Sequence, residues 1–213
     1  MTVLERWLDR AKPIRAGEEL DLAPLARNLR AHLPELRPDQ PLTIEQFPSG
    51  HSNLTYLVRS GSTELVLRRP PFGSKVKSAH DMGREYRVLS KLWRAYPYAP
   101  EPLLACEDEG VLGAKFYVMR RLSGVILRKD LPPGLELSPT QVTALHRGLV
   151  ERVVELHAVD VAAVGLAELG KPEGYVARQV KGWRERYQAS RTDDIAAVDS
   201  LGVWLDEHIP VSG

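Results

Sequence analysis

Residues 47–68 constrain the fold of this chain more than any other stretch. They read F-P-S-G-H-S-N-L-T-Y-L-V-R-S-G-S-T-E-L-V-L-R. Alternating apolar and polar residues on both sides of Ser60-Gly61-Ser62 predict two strands joined by a tight reversal. In the second of these strands, Arg68 shares a face with Glu64 and Val66, because successive side chains of a strand point to opposite faces. The pattern therefore predicts a charged residue at the end of an apolar strand.

The turn that precedes these strands is built from small residues. Ser49, Gly50, Ser52 and Asn53 place little bulk on it, so backbone N–H groups can approach the phosphate oxygens of a ligand. A serine-glycine turn between strands is also a common connection with no ligand at all. The residues alone leave both interpretations open.

Composition limits the classes of protein that fit. The 213 residues carry a net charge of +1 with acidic and basic residues interspersed, which argues against a nucleic-acid partner and a polybasic membrane patch. The single cysteine, Cys106, excludes an internal disulfide framework and is typical of a reducing compartment. No apolar run approaches the length of a membrane span. We expect a soluble, cytoplasmic protein of mixed α and β structure.

The chain before the first strand has helical spacing. Residues 3–11 and 20–36 each carry an apolar stripe, and Asp21 is a suitable N-cap for the second helix. We interpret residues 1–41 as a helical N-terminal extension packed on the domain that begins at residue 42.

The sheet predicted around the opening segment is interrupted by one helix. Residues 42–47 form its first strand, and Pro70-Pro71 ends the third. A helix is expected to start at Ser78, with Asp81 completing a capping box. Its inward stripe consists of Met82, Tyr86, Leu89, and Leu92 or Trp93. Glu85 lies on or beside that stripe, where a carboxylate needs a partner because desolvating it alone is costly.

Two further strands complete the sheet, and helices come after them. Residues 103–106 and 116–119 predict an antiparallel pair across a surface loop at 107–114. Ser138-Pro139-Thr140-Gln141 is a capping box with proline at the first helical position. Two more helices are predicted at residues 175–189 and 192–207. The helix after Ser138 is predicted to bury one long stripe: Val142, Leu145, Leu149, Val153 and Leu156.

These elements predict an α+β fold in two lobes. A five-stranded antiparallel lobe with one inserted helix occupies residues 42–119, and a hinge is predicted at 120–124. Residues 125–213 form an all-helical lobe, which we expect to be incomplete.

Several motifs follow one another along the chain: F-P-S-G-H-S-N-L-T-Y-L-V, E-L-V-L-R-R-P-P, R-E-Y-R-V-L at 84–89, F-Y-V-M-R-R-L-S-G at 116–124 and V-V-E-L-H-A-V-D at 153–160. In their order and spacing, from about residue 42 to 187, the chain resembles the aminoglycoside phosphotransferase family, which has a protein-kinase-like fold. The nearest branch is related to the kinase-like domain found with certain acyl-CoA dehydrogenases.

The resemblance implies an ATP site. The third-strand basic residue holds the α- and β-phosphates and is itself held by a helix carboxylate, and these positions match Arg68 and Glu85. The hinge, whose backbone groups bond the adenine edge, matches Met119, Arg120, Arg121 and Leu122. The turn that covers the phosphates matches Ser49, Gly50, His51, Ser52 and Asn53.

Alternatives stand beside each assignment. In the alternative interpretation, Glu85 is peripheral and bonds to solvent or to a neighbouring arginine. The alternative for the hinge is that it is an ordinary exit from a strand. Arginine stands at position 68 where protein kinases have lysine, and it binds as a planar, permanently charged fork. The turn has one glycine, Gly50, where protein kinases have several, so it should be stiffer.

The intact family implies ATP-dependent, Mg-assisted phosphorylation of a hydroxyl group on a small molecule. Its H-x-D-x-x-x-x-N catalytic loop and later metal-binding aspartate have no match in this sequence, and His157 and Asp160 in H-A-V-D have the wrong spacing. We therefore expect no catalysis by this chain alone, whether it is part of a longer gene product or a non-catalytic nucleotide-binding or protein-interaction module.

Two further predictions concern the association of this chain with other chains and the roles of its cysteine and histidines. Uncovered apolar faces of the helical lobe would favour self-association or pairing with a downstream fragment. Cys106 and the remaining histidines, His146 and His208 among them, are interpreted as structural, because they lack companions at ligand or nucleophile spacing.

Overall fold

The computed structural model describes residues 6–48, 53–73, 81–171 and 173–210. The five strands are β1 (Leu42–Gln46), β2 (Leu54–Ser60), β3 (Thr63–Arg69), β4 (Pro102–Cys106) and β5 (Phe116–Arg120). The helices are α1 (Leu22–His32), α2 (Met82–Leu92), α3 (Glu109–Leu112), α4 (Pro139–His157), α5 (Tyr175–Ser190) and α6 (Ala196–Glu207), with a 3₁₀ turn at Ala167–Leu169.

The strands form one sheet in the order β1-β2-β3-β5-β4, and every neighbouring pair is antiparallel. The predicted α+β fold with a five-stranded antiparallel sheet is confirmed. The reversal between β2 and β3 pairs Ser60 with Thr63, and Gly61 adopts a φ of +57° there. A side chain at Gly61 would be strained in this conformation, so the glycine allows the tight turn that the sequence predicts.

One face of the sheet, here called the outer face, is covered by the N-terminal extension. Asp21 caps α1 by accepting a hydrogen bond from the backbone N–H of Ala23, as predicted. Helix α1 then buries Leu25 and Leu29 completely. They join an apolar core whose strand members include Tyr56, Val58, Leu65, Leu67, Phe116 and Val118. Burial of this apolar surface is the main stabilising contribution that the sheet receives.

The opposite, inner face carries the charged residues of the same strands. The register pairs Arg59 with Glu64 and Arg68 with Tyr117, so these four side chains share this face. Helix α2 contacts β4 and β5, and the rings of Tyr86 and Tyr117 lie 6.3 Å apart between centroids. The predicted alternation along β3 is therefore confirmed: Leu65 and Leu67 face the core, and Glu64, Val66 and Arg68 share the inner face, while Arg69 is buried on the face of the leucines.

Helix α4 begins as predicted but does not bury its apolar stripe. The Ser138 side chain accepts from the Gln141 N–H, the Gln141 side chain accepts from the Ser138 N–H, and Pro139 is the first helical residue. The prediction of a buried stripe is wrong, since Leu149 is 65% exposed and each of its predicted companions is also exposed. Helical periodicity identifies an apolar face, but burial also requires a surface packed against it.

Several predicted element boundaries also differ from the structure. In place of a helix over 3–11, the described residues have a short 3₁₀ stretch, and Lys12 bridges to Gln46 of β1. The predicted helix over 20–36 is limited to α1, and the third C-terminal helix begins at Ala196 instead of 192.

Two more differences, the start of α2 and a short helix within a predicted loop, are explained by local N-caps. Asp81 is the N-cap of α2, accepting from the Arg84 N–H, and the predicted cap Ser78 lies outside the described residues. The expected surface loop contains the short helix α3, which Asp108 caps.

The chain divides into two compact units, Met1–Val164 and Gly165–Gly213. The second contains α5 and α6, which pack on each other. The hinge predicted at residues 120–124, and the domain limits built on it, stay predictions. None of the helices in the described ranges combines the length and apolar composition that crossing a bilayer requires.

Candidate functional site

Arg68 and Glu85 meet on the inner face of the sheet. Arg68 is near the end of β3 and Glu85 is in the first turn of α2, and Arg68 Nε lies 3.2 Å from Glu85 Oε2. Both side chains are about one third exposed, at 31% and 34%. The contact is an ion pair in which Arg68 Nε makes no hydrogen bond, and a guanidinium presents five N–H groups in a planar fork. The pair is accessible to a ligand and is formed by two different elements.

Glu85 is held by two further donors. The Asn53 side-chain amide donates to Oε1 at 2.8 Å, and the Tyr117 hydroxyl donates to Oε2 at 2.9 Å. Three elements therefore fix one carboxylate, which in turn restrains the guanidinium of Arg68. The alternative that Glu85 is bonded only to solvent does not describe this geometry.

Tyr117 is a member of this cluster that the sequence reasoning missed. Burial, followed by the nearby charge of Glu85, raises the pKa of its hydroxyl, although Arg68 opposes that shift. The hydroxyl is therefore a stable donor to Glu85. The alternation of F-Y-V-M-R was the available signal, because it places Tyr117 opposite Arg68 once β3 and β5 are paired.

A cleft of about 380 Å³ opens on the same face of the sheet, at Thr55 and Val66, although the four residues of this cluster are not among those that line it. Val66 of β3 and Thr55 of β2 line the cleft, and so do residues of the segment that follows β5. The predicted hinge residues Met119, Arg120 and Leu122 all line it, together with Arg121, Ser123 and Gly124. The structure thus brings the hinge residues to one cavity, and their contact with an adenine stays a prediction.

A row of alternating charges crosses the inner face at the hinge end of the sheet. Arg59 bonds Glu45 of β1 and donates from Nε to Glu64 Oε1 at 2.8 Å, and Arg121 bonds the other oxygen of Glu64. Burial alone would raise the pKa of Glu64, but hydrogen bonds and charges from Arg59 and Arg121 outweigh it and lower that pKa. The hydrogen bond that Arg59 donates to Glu64 is the main cause that raises the pKa of Arg59.

The model of the phosphotransferase enzyme family matches residues 43–213, which is most of the chain. The chain belongs to this family. The match begins at the first strand of the sheet and includes Arg68, Glu85 and every hinge residue.

Curated relatives connect this chain to a particular branch of the family. It is 38% identical over 196 residues to acyl-CoA dehydrogenase family member 11 of Rattus norvegicus, covering 91% of this chain and 25% of that protein. It is 32% identical over 177 residues to the probable acyl-CoA dehydrogenase IBR3 of Arabidopsis thaliana, covering 78% and 21%. The chain thus spans about a quarter of the length of these relatives.

A solved structure agrees with this assignment. The crystal structure of a putative aminoglycoside phosphotransferase from Ralstonia eutropha JMP134 matches with a TM-score of 0.71 and 34% sequence identity. The match covers 90% of this chain and 54% of that one. The resemblance to the aminoglycoside phosphotransferase family, and to the branch associated with acyl-CoA dehydrogenases, is confirmed.

The predicted phosphate turn is described only in part. Ser49, Gly50, His51 and Ser52 lie outside the described residues. Asn53 is buried and bonds Glu85, so this end of the turn is tied to the Arg68 cluster. Its role toward a phosphate stays a prediction.

The structural interpretation of the remaining candidate residues stays a prediction. His157 is the last residue of α4, and Asp160 Oδ1 accepts from the backbone N–H groups of Ala162 and Ala163 in the following turn. Cys106 is buried, and burial raises the pKa of its thiol. No group of three or more metal-ligating side chains is present among the described residues.

Proposed function

We propose that this chain forms the nucleotide-binding part of an ATP-dependent phosphotransferase whose acceptor is a hydroxyl group on a small molecule. The observation that carries the proposal is the Arg68–Glu85 pair, with 3.2 Å between Nε and Oε2, on the face of the sheet where the cleft lined by the hinge opens. A guanidinium fixed by a carboxylate offers the planar, bidentate donors that phosphate oxygens accept.

The cleft suits the base of the nucleotide. A volume of about 380 Å³ is within the range of ordinary ligand pockets. Apolar side chains such as Val66 and Met119 would contact the flat faces of the base, while backbone groups of the hinge segment, residues 120–124, would bond its edge. Arg68 would then hold the phosphates, with Asn53 and Glu85 restraining it.

A magnesium ion, when bound to the phosphates, neutralises charge that develops during transfer. The described residues supply no cluster that would hold it. The proposal therefore assigns nucleotide binding to this chain and assigns none of its residues to the transfer step. A cytoplasmic location is part of the proposal and is supported by composition, since Cys106 is the single cysteine and is unpaired.

Titration calorimetry with ATP, in the presence and absence of Mg²⁺, tests the proposal on three proteins. These are the wild type, Arg68→Ala, and Arg37→Ala, which removes an exposed ion pair with Asp39 away from the cleft. We expect saturable binding by the wild type and by Arg37→Ala, and a loss of at least about tenfold in affinity for Arg68→Ala, since charge-assisted bonds to phosphate are lost. Absence of binding by the wild type would overturn the proposal.

A second candidate, a protein-interaction module, is favoured by one observation. Several large apolar side chains of α4 are exposed, including Leu149 and Val150 at 65% and 62%. Contiguous exposed apolar surface of this kind marks interaction sites in many proteins. Concentration-dependent association without ATP binding would favour this candidate over the first.

A further inference from the structure

The side chain of Arg121 connects the hinge segment to two other parts of the molecule. It comes directly after β5, it is only 11% exposed, and it lines the cleft. Its guanidinium bonds Glu64 of β3, and its Nη2 donates to the backbone oxygen of Asp9 at 3.0 Å. One nearly buried cation therefore joins the sheet, the hinge and the N-terminal segment.

The N-terminal segment is fastened to the hinge side by further bonds. The Asp9 N–H donates to the Gly124 oxygen at 3.1 Å, and Arg128 Nη2 lies 3.2 Å from Asp9 Oδ1. The Trp7 indole donates to the Pro133 oxygen at 3.1 Å. These contacts bond residues 7–9 to the chain after β5 at several points.

The same segment is also fastened to the sheet. Lys12 and Gln46 exchange two backbone hydrogen bonds of 2.8 Å, which adds residue 12 to the edge of β1. The family match begins at residue 43, so the N-terminal partner in these contacts lies before the matched range.

We infer that Arg121 is a positioning residue for the base end of the nucleotide site, acting through Glu64 and the backbone of Asp9. The inference rests on the proposed function, because it concerns the segment expected to bond the base. A hinge restrained before the ligand arrives loses less conformational freedom on binding, so affinity rises without a new ligand contact. The guanidinium also lies 5.8 Å from the ring centroid of Phe47, another residue of the cleft lining.

Arg121→Gln, Arg121→Lys and Trp7→Phe, with Arg37→Gln as a surface control, test this inference on the full chain. The first readout is the hydrogen exchange of the Asp9 amide in the free protein, measured by NMR. We expect exchange at least about tenfold faster in Arg121→Gln, and a smaller increase in Arg121→Lys, which keeps the charge but loses the fork. Trp7→Phe keeps an aromatic side chain but loses the indole N–H that bonds Pro133, together with part of the ring, so it tests this attachment if Arg121→Gln fails to fold.

The second readout is calorimetry with adenosine and with ATP. We expect Arg121→Gln to weaken both ligands by the same factor of about ten, with Arg121→Lys intermediate and Arg37→Gln unchanged. A purely structural role would lower the melting temperature and leave the adenosine affinity of the folded protein unchanged.

The outcomes separate the two proposals. If the wild type binds neither ligand, the proposed function fails and the positioning role fails with it. If the wild type binds and Arg68→Ala weakens ATP, but Arg121→Gln binds adenosine as the wild type does, only the positioning role is overturned. Unchanged exchange of the Asp9 amide in Arg121→Gln would overturn it as well.

Discussion

The two faces of the five-stranded sheet differ in the side chains that they carry. On the outer face, Leu65 and Leu67 of β3 are fully buried against an apolar core that includes α1. On the inner face, Glu64 and Arg68 of the same strand remain about one third exposed and take part in ion pairs. Partly exposed ion pairs contribute little stability, whereas apolar burial contributes much. The comparison teaches that the leucines of β3 pack into the core on the outer face, whereas the inner face of the same strand combines the buried side chain of Val66 with the accessible charges of Glu64 and Arg68.

Substitution in the outer core should have the largest effect. Leu29→Ala is expected to lower the free energy of unfolding by about 2–5 kcal/mol, because it removes a fully buried side chain and leaves a cavity. Urea denaturation measures this value. Leu22→Ala, at an exposed position of the same helix, is the matched control and should cost less than about 0.5 kcal/mol. Equal losses for the two variants would contradict the assignment of the outer face as the stabilising one.

On the inner face, Glu85→Gln should separate ligand affinity from stability. It removes the charge that restrains Arg68 while keeping a similar shape, so we expect about a tenfold loss of ATP affinity by calorimetry. The expected loss of unfolding free energy is smaller, about 1 kcal/mol, because the side chain is partly exposed. A loss of stability as large as that of Leu29→Ala would mean that the inner cluster holds the fold together.

Tyr117→Phe tests how much one hydroxyl group on the inner face contributes to ligand affinity and to stability. The variant deletes one donor to Glu85 and keeps the ring that lies beside Tyr86. We expect a loss of about 1 kcal/mol in unfolding free energy, as for a typical hydrogen bond, and a two- to fivefold loss of ATP affinity. Chemical denaturation and calorimetry on the same preparation measure both, and an unchanged affinity would separate Tyr117 from the site.

Ion pairs on the inner face should also make the stability of the fold depend on pH in the acidic range. The folded state lowers the pKa of Glu64, so its ion pairs stabilise the fold above the unfolded value of 4.5 and are lost as pH falls through the lower folded value. Glu64→Gln should therefore flatten the fall of melting temperature below about pH 4.5, by an amount equivalent to less than about 1 kcal/mol. Identical pH profiles for the two proteins would contradict this assignment.

A substitution on the exposed face of helix α4 should have the smallest effect on the free energy of unfolding. Leu149→Gln changes an exposed apolar side chain, so we expect a change of less than about 0.5 kcal/mol in unfolding free energy. The same variant should reduce self-association, as measured by sedimentation, if the exposed face of α4 is a contact surface. Unaltered sedimentation would contradict that use of the face.

Sequence reasoning succeeded where the signal is local or where a motif carries it. The β2–β3 hairpin, the Asp21 cap and the Ser138 capping box depend on residues only a few positions apart. The approach of Glu85 to Arg68 was anticipated from the family resemblance and from the cost of a buried carboxylate. These predictions required no knowledge of the rest of the fold.

Most of the missed features depend on contacts distant in sequence. Arg121 bonds Asp9, which is 112 positions away, and Tyr117 reaches Glu85 only after β5 pairs with β3. The buried stripe predicted for α4 was wrong because an apolar stripe does not reveal whether another surface covers it, whereas the expectation of uncovered apolar faces in the helical lobe agrees with the exposure of α4. The start of α2 was harder to predict because the sequence offers two capping residues, Ser78 and Asp81, and Asp81 is the N-cap.

A double-mutant cycle on ATP affinity tests the link between Arg68 and Glu85 most directly. Calorimetry would compare the wild type, Arg68→Ala, Glu85→Gln and the double variant. If Glu85 acts by restraining Arg68, the double variant should bind ATP no more weakly than Arg68→Ala, which corresponds to a coupling of about 1 kcal/mol or more. Additive losses from the two substitutions would contradict the account, because they would mean that the two side chains act on the nucleotide independently.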